Sequence, residues 1–189
     1  MFKAKVLIIG PCRSGKTVIA NFLSDATETS SDDYHPTQGC RILEFEINNI
    51  PVPKGTNVNA EVELWDCSGD NKFEGCWATL AKDVVGVVLV FDPDDANQDK
   101  NLEALHTYFV EQQGLRDSQC IVFANHKGSG PLSDDIQLPP SMSKLPCVPT
   151  NLEQDSEGIH HEFKHFLGTL ITTMNDKRDQ EELSIMNNR

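Results

Sequence analysis

Short apolar runs rich in branched residues alternate along this chain with stretches whose apolar residues recur at helical spacing. Lys5–Gly10 (KVLIIG) reads as a buried strand. Lys16–Ser24 follows with Val18, Ile19, Phe22 and Leu23 on one helical face. Residues 25–39 are polar and turn-rich, so they read as loop. Arg41–Ile47 and Glu61–Asp66 each alternate as strands and are joined by a Pro- and Asn-rich hairpin turn over 48–59. Val84–Asp92 (VVGVVLVFD) is the most hydrophobic run and reads as a central strand. A helix over Asn101–Gln113 and a buried strand over Gln119–Ala124 come next. Residues 127–146 form a long loop, Leu145–Pro149 a short strand, and Glu157–Met174 an amphipathic helix. The charged tail after Asn175 is expected to fray or to depend on a partner.

This alternation predicts an α/β fold, a three-layer sandwich whose mostly parallel sheet carries one antiparallel edge strand. One domain over 1–174 and a charged C-terminal tail over 175–189 are expected.

Composition narrows the function. The net charge of −13 argues against nucleic-acid polymers and anionic membrane surfaces as partners. The six cysteines include no C-x-x-C pair, which argues against zinc. The N-terminal apolar stretch breaks too early for a signal peptide, and no run approaches the roughly 20 apolar residues of a membrane span. Phe2 stands where myristoylation needs glycine, and no cysteine near the end SIMNNR offers prenylation. A reducing cytoplasmic setting without lipid anchor or transmembrane segment is the expectation.

The chemistry begins at GPCRSGKT, residues 10–17, a full G-x-x-x-x-G-K-[ST] pattern between a strand and a helix. Gly10, Pro11, Cys12, Arg13, Ser14 and Gly15 form a loop whose amides cradle a phosphate. Lys16 supplies positive charge to the outer phosphates, and Thr17 a hydroxyl to Mg²⁺. Asp66 ends a buried strand, where P-loop proteins hold Mg²⁺ through water, and Gly69 brings an unobstructed N–H to a γ-phosphate. Thr37, in YHPTQG (residues 34–39), is placed to complete the metal shell.

GPCRSGKT, YHPTQG and LWDCSGD together resemble the phosphate-loop, switch I and switch II motifs of Ras/Rab-type small GTPases, in order over residues 1–174. KFEGCW and EELSIM are further similar to the Rab-like small-GTPase subunit of intraflagellar transport complex B. The resemblance implies a P-loop small-GTPase fold, GTP or GDP with Mg²⁺, a cytoplasmic and ciliary location, and partners among the coiled-coil subunits of that complex. It also marks departures. Asp70 stands where the family orients water with glutamine, and Cys12 and Arg13 replace small residues. Hydrolysis is therefore expected to be slow, with no catalytic residue assigned. The family's N-K-x-D base-reading motif is here Asn125-His126-Lys127-Gly128, which weakens guanine preference, although His126 is able to stack on a purine. Thr150-Asn151-Leu152 only loosely matches the last base-contacting loop.

Two other readings are compatible with the residues: a nucleotide-free scaffold that keeps only the fold, and a P-loop kinase for a small metabolite. The kinase would need several converging arginines, and Arg13, Arg41, Arg116, Arg178 and Arg189 are widely spread. His161-Glu162-Phe163-Lys164-His165 spells the H-E-x-x-H zinc signature, but the helical period puts both histidines opposite the apolar stripe. Trp65 and Trp77 flank the second switch, as core residues or as partner contacts.

Overall fold

The computed structural model describes residues 1–26, 36–53, 55–130, 132 and 136–187. Among these, six strands form one sheet in the order β2-β3-β1-β4-β5-β6. They are β1 (Phe2–Ile9), β2 (Cys40–Ile50), β3 (Val58–Cys67), β4 (Gly86–Phe91), β5 (Cys120–Asn125) and β6 (Cys147–Thr150). All neighbouring pairs are parallel except β2 with β3, which leaves β2 as the antiparallel edge. The expected α/β architecture is borne out.

The period of two in the central strands builds two cores. Ala4, Val6, Ile8, Val88, Val90, Ile121 and Phe123 face one side, and Leu7, Ile9, Val87, Leu89, Cys120, Val122 and Ala124 face the other. Both sides are apolar because both are covered by helices. The first is packed by α1 (Lys16–Leu23) and α4 (Ser156–Asn187) through Ile19, Leu23, Phe163, Leu167 and Leu170. The second is packed by α2 (Trp77–Ala81) and α3 (Asp99–His106) through Leu80, Leu102 and Leu105.

Three local differences from the sequence expectation have physical causes. The helix expected over 101–113 is α3 followed by a π-helical turn, Thr107–Glu111, in which Gln112 N–H reaches the Thr107 carbonyl at 3.0 Å. The wider turn brings the neighbouring Phe109 and Val110 both into the core. The segment after Asp70, unassigned from sequence, forms a 3₁₀ stretch (Asn71–Cys76) leading into α2. The tail expected to fray continues α4 to Asn187. Residues 175–187 contain neither Gly nor Pro, and Arg178 pairs with Glu182 at 3.3 Å one turn on.

The discounted patterns sit as expected. His161 and His165 are exposed while Ile159, Phe163 and Phe166 are buried. Trp77 packs at 5.0 and 5.3 Å on the rings of Tyr108 and Phe109. Trp65 lies under the Lys5 ammonium, 3.8 Å from the ring centroid. No helix of the described residues is long and apolar enough to cross a membrane.

Candidate nucleotide-binding site

The parallel strands β3, β1, β4, β5 and β6 all end at one edge of the sheet, where ligands of open α/β sheets bind. The GPCRSGKT loop leaves β1 there and enters α1. In the β1–β3 register Ile8 is opposite Asp66, so the Asp66 carboxylate arrives beneath the loop.

Gly10, Pro11 and Ser14 are buried, whereas Cys12 and Arg13 are exposed at the rim. Gly15 caps α1 with φ 93°, in the left-handed region, and a Cβ there would lie 2.2 Å from Asn125 Nδ2. Asn125 uses that amide to bind the Ser14 carbonyl at 2.9 Å, tying the end of β5 to the loop. Lys16, only 6% exposed, donates to the Pro11 carbonyl at 2.7 Å and to Ser14 Oγ at 3.4 Å. Burial pushes its ammonium down from 10.5 to about 8, against the pull of Asp66. The result is a charged group held over the loop with its solvation stripped and, among the described residues, no carboxylate within ion-pair distance, an arrangement that favours an anionic ligand.

Three oxygens converge beside it. Thr17 Oγ1 donates to Asp66 Oδ2 at 2.8 Å and lies 2.9 Å from Thr37 Oγ1. A hydroxyl carries one proton, so Thr37 is the donor in the second contact. Thr37 is thus brought to β3 through Thr17, although 20 residues separate the two threonines. Two hydroxyls and a carboxylate form a hard-oxygen set of the kind that Mg²⁺ takes. Gly69 lies against the loop itself: a Cβ there would sit 2.5 Å from the Gly10 carbonyl oxygen and 2.6 Å from Cys12 N.

Asp70 faces elsewhere. Its carboxylate caps the following 3₁₀ stretch through Lys72 N–H at 3.0 Å and pairs with Lys72 Nζ at 3.0 Å. Those two contacts, the backbone bond first, hold its carboxyl below the usual range.

At the base-reading end the residues are brought together but occupied by the protein. Lys127 donates to the Arg13 carbonyl and pairs with Asp92 at 3.1 Å. His126 lies 3.5 Å from the Asp94 carboxylate and is mostly buried. Asn151 donates to the Gly128 carbonyl at 2.9 Å and accepts from Glu153 and Gln154 N–H, which makes it a loop brace. Tyr34 and His35 of YHPTQG lie outside the described residues.

Three further residues, not expected from the sequence, join the site. Arg41 Nη2 lies 3.6 Å from Asp66 Oδ2 and also binds Asn21. Asp92 fixes Lys127. Gln98, only 4% exposed, accepts from Asp92 N–H at 2.9 Å and reaches the Cys12 carbonyl at 3.4 Å. Only Arg41 left a signal, as a charge next to the first apolar residue of an alternating strand.

Comparison with known proteins places the fold and the family. Residues 5–128 match the model of the Roc family, "Ras of Complex, Roc, domain of DAPkinase". The intraflagellar transport protein 22 homolog of Macaca fascicularis is 49% identical over 188 residues, covering 98% of this chain and 100% of that protein. Among solved structures, a GTP-bound crystal structure of Trypanosoma brucei IFT22/74/81 superposes with a TM-score of 0.74 at 24% identity, over 94% of this chain and 99% of that one. The GDP-bound T. brucei IFT22 structure gives 0.69 at 22% identity, over 92% and 99%. The chain therefore carries a domain of the Roc family and belongs to the intraflagellar transport protein 22 family.

Proposed function

We propose that this chain is an atypical small GTP-binding protein that serves as a nucleotide-stabilised subunit of intraflagellar transport complex B in cilium assembly. The convergence of Thr17, Thr37 and Asp66 oxygens beside the buried Lys16 carries the reading. In it the loop 10–17 and Gly69 hold the phosphates of GTP or GDP. Thr17 and Thr37 bind Mg²⁺ directly and Asp66 through water. Asn125, His126 and Lys127 border the base, Lys127 as a brace of the loop through Arg13. A triphosphate with its metal would join switch I to β3 through the contacts that the two threonines already make. GTP- and GDP-bound structures of T. brucei IFT22, and that protein's complex with IFT74 and IFT81, support the nucleotide and the partner class. The body over 1–174 holds the nucleotide, and the tail over 175–189, helical as far as Asn187, is available to coiled-coil subunits. The family assignment supports a ciliary and cytoplasmic location.

The test is mass identification of the nucleotide that survives purification in Mg²⁺ buffer. Wild type is expected to retain GTP or GDP. Thr17→Asn removes the hydroxyl that links Thr37 to Asp66, and is expected to lose the triphosphate preferentially, by about tenfold in affinity, or ~1.4 kcal/mol. Equal retention by both proteins would reject the assigned role of Thr17. The kinase alternative finds no support, because Arg41 binds Asp66, Arg116 starts the 3₁₀ turn before β5, and Arg178 pairs with Glu182.

Hydrolysis is proposed to be slow because the Asp70 carboxylate is engaged by Lys72 rather than by the phosphate site. Asp70→Ala should change single-turnover GTP cleavage by less than about threefold, under ~0.7 kcal/mol of barrier. A drop of a hundredfold would instead make Asp70 a catalytic group.

A further inference from the structure

Cys40 and Cys67 face each other across the edge pair β2 and β3, with their Sγ atoms 3.7 Å apart. Ser68 N–H donates to the Gly39 carbonyl at 2.8 Å, on the far side of both residues. That bond makes Cys40 and Cys67 a non-hydrogen-bonded antiparallel pair, in which Cα atoms approach to about 4.5 Å. Disulfides form across Cα separations of about 4.4–6.8 Å. The backbone is therefore already within bonding range. Both cysteines are free thiols, Cys40 partly exposed and Cys67 buried. The other cysteines lack such a partner: Cys120 is opposite Val87, Cys147 is opposite Val122, and Cys12 and Cys76 are exposed on separate segments.

We propose that Cys40 and Cys67 form a reversible dithiol–disulfide modification site that staples the segment carrying Thr37 to the segment carrying Asp66 and Gly69. The oxidant is a low-molecular-weight disulfide of the glutathione class. The Cys40 sulfur, the accessible one, attacks one sulfur of that disulfide and expels the first small thiolate. The Cys67 sulfur then attacks Cys40 Sγ and expels the second. Two protein thiols lose two electrons in all, the small disulfide is reduced to two thiols, and the two protein protons end on them. In a reducing compartment the pair rests as the dithiol and is oxidised transiently.

The consequence for binding rests on the nucleotide reading. Thr37 precedes Cys40 by three residues, and Asp66 immediately precedes Cys67. A covalent link at the root of switch I would shorten the reach of the Thr37 segment and slow the opening that releases nucleotide.

The test treats the full chain with glutathione disulfide, digests it without reductant and maps the cysteines by mass. A linked Cys40–Cys67 peptide pair that dithiothreitol separates is expected. Cys67→Ser should leave Cys40 as a stable glutathione adduct, and Cys40→Ser should leave Cys67 unmodified. Release of a fluorescent GDP should slow several-fold on oxidation of wild type and not of Cys40→Ser. Adducts confined to Cys12 and Cys76, with both strand thiols intact, would overturn the site. A linked pair with unchanged release would overturn the staple. A linked pair on a chain that binds no nucleotide would uphold the site and overturn the nucleotide reading.

Discussion

Replacing Lys16 with alanine is expected to weaken GTP and GDP binding by about a hundredfold, or ~3 kcal/mol, the worth of one or two charge-assisted hydrogen bonds to phosphate. The same change should stabilise the nucleotide-free chain. Burial lowers the Lys16 pKa from 10.5 to about 8, so holding the charged form in the fold costs about 3 kcal/mol at neutral pH. Lys16→Met, which keeps the apolar stem, should raise the melting temperature of the nucleotide-free protein most. The sign of the pH dependence follows from the direction of the shift. Between pH 8 and 10.5 the unfolded chain binds more protons at Lys16 than the folded chain, so stability rises with pH across that window. The penalty is fully present below pH 8. Thermal melts of nucleotide-free wild type from pH 7 to 10 should show this rise on the contribution of Lys16, and Lys16→Met should lack it. A Lys16→Met protein that melts below wild type at pH 7 would mean that the ammonium stabilises the empty loop.

Gly69→Ala carries the second large effect. The added methyl would overlap Gly10 O, Pro11 C and Cys12 N at 2.5–2.6 Å, all of them main-chain atoms with no rotamer to change. Overpacking of this kind costs about 1–3 kcal/mol. The segment after β3 must then lift from the phosphate loop. Triphosphate affinity is expected to fall by about tenfold or more. Diphosphate should be affected less, because Gly69 is assigned to the γ-phosphate. Competition binding of GTP against GDP measures the ratio directly. An unchanged ratio would show that the Gly69 contact belongs to the empty loop alone.

Much of this is legible in the sequence alone. The two-faced strands VLII, GVVLVF and CIVFAN could only be central, because every second residue has to meet a different apolar layer. The phosphate loop was legible because its chemistry is local: a strand, a glycine turn and a helix N-terminus within a few residues. Contacts made across the sequence were not legible. Lys127 bracing Arg13, Gln98 tying Cys12 to Asp92, and Cys40 facing Cys67 depend on strand order and register, which no local pattern encodes. The C-terminal extension differs from the sequence expectation for another reason. Its charge suggests fraying or dependence on a partner, yet the segment lacks Gly and Pro, carries an i,i+4 pair and continues a helix already nucleated on the core.

A buried ammonium and a ring of loop amides are proposed to grip a polyphosphate with the help of a metal held by Thr17, Thr37 and Asp66. Calorimetric titration of nucleotide-free chain with GTP, with and without Mg²⁺, tests it most directly. Saturable one-to-one binding is expected, stronger when Mg²⁺ is present and weakened about a hundredfold in Lys16→Ala. Absence of binding by the folded wild-type chain in Mg²⁺, or binding indifferent to both Mg²⁺ and Lys16, would contradict it.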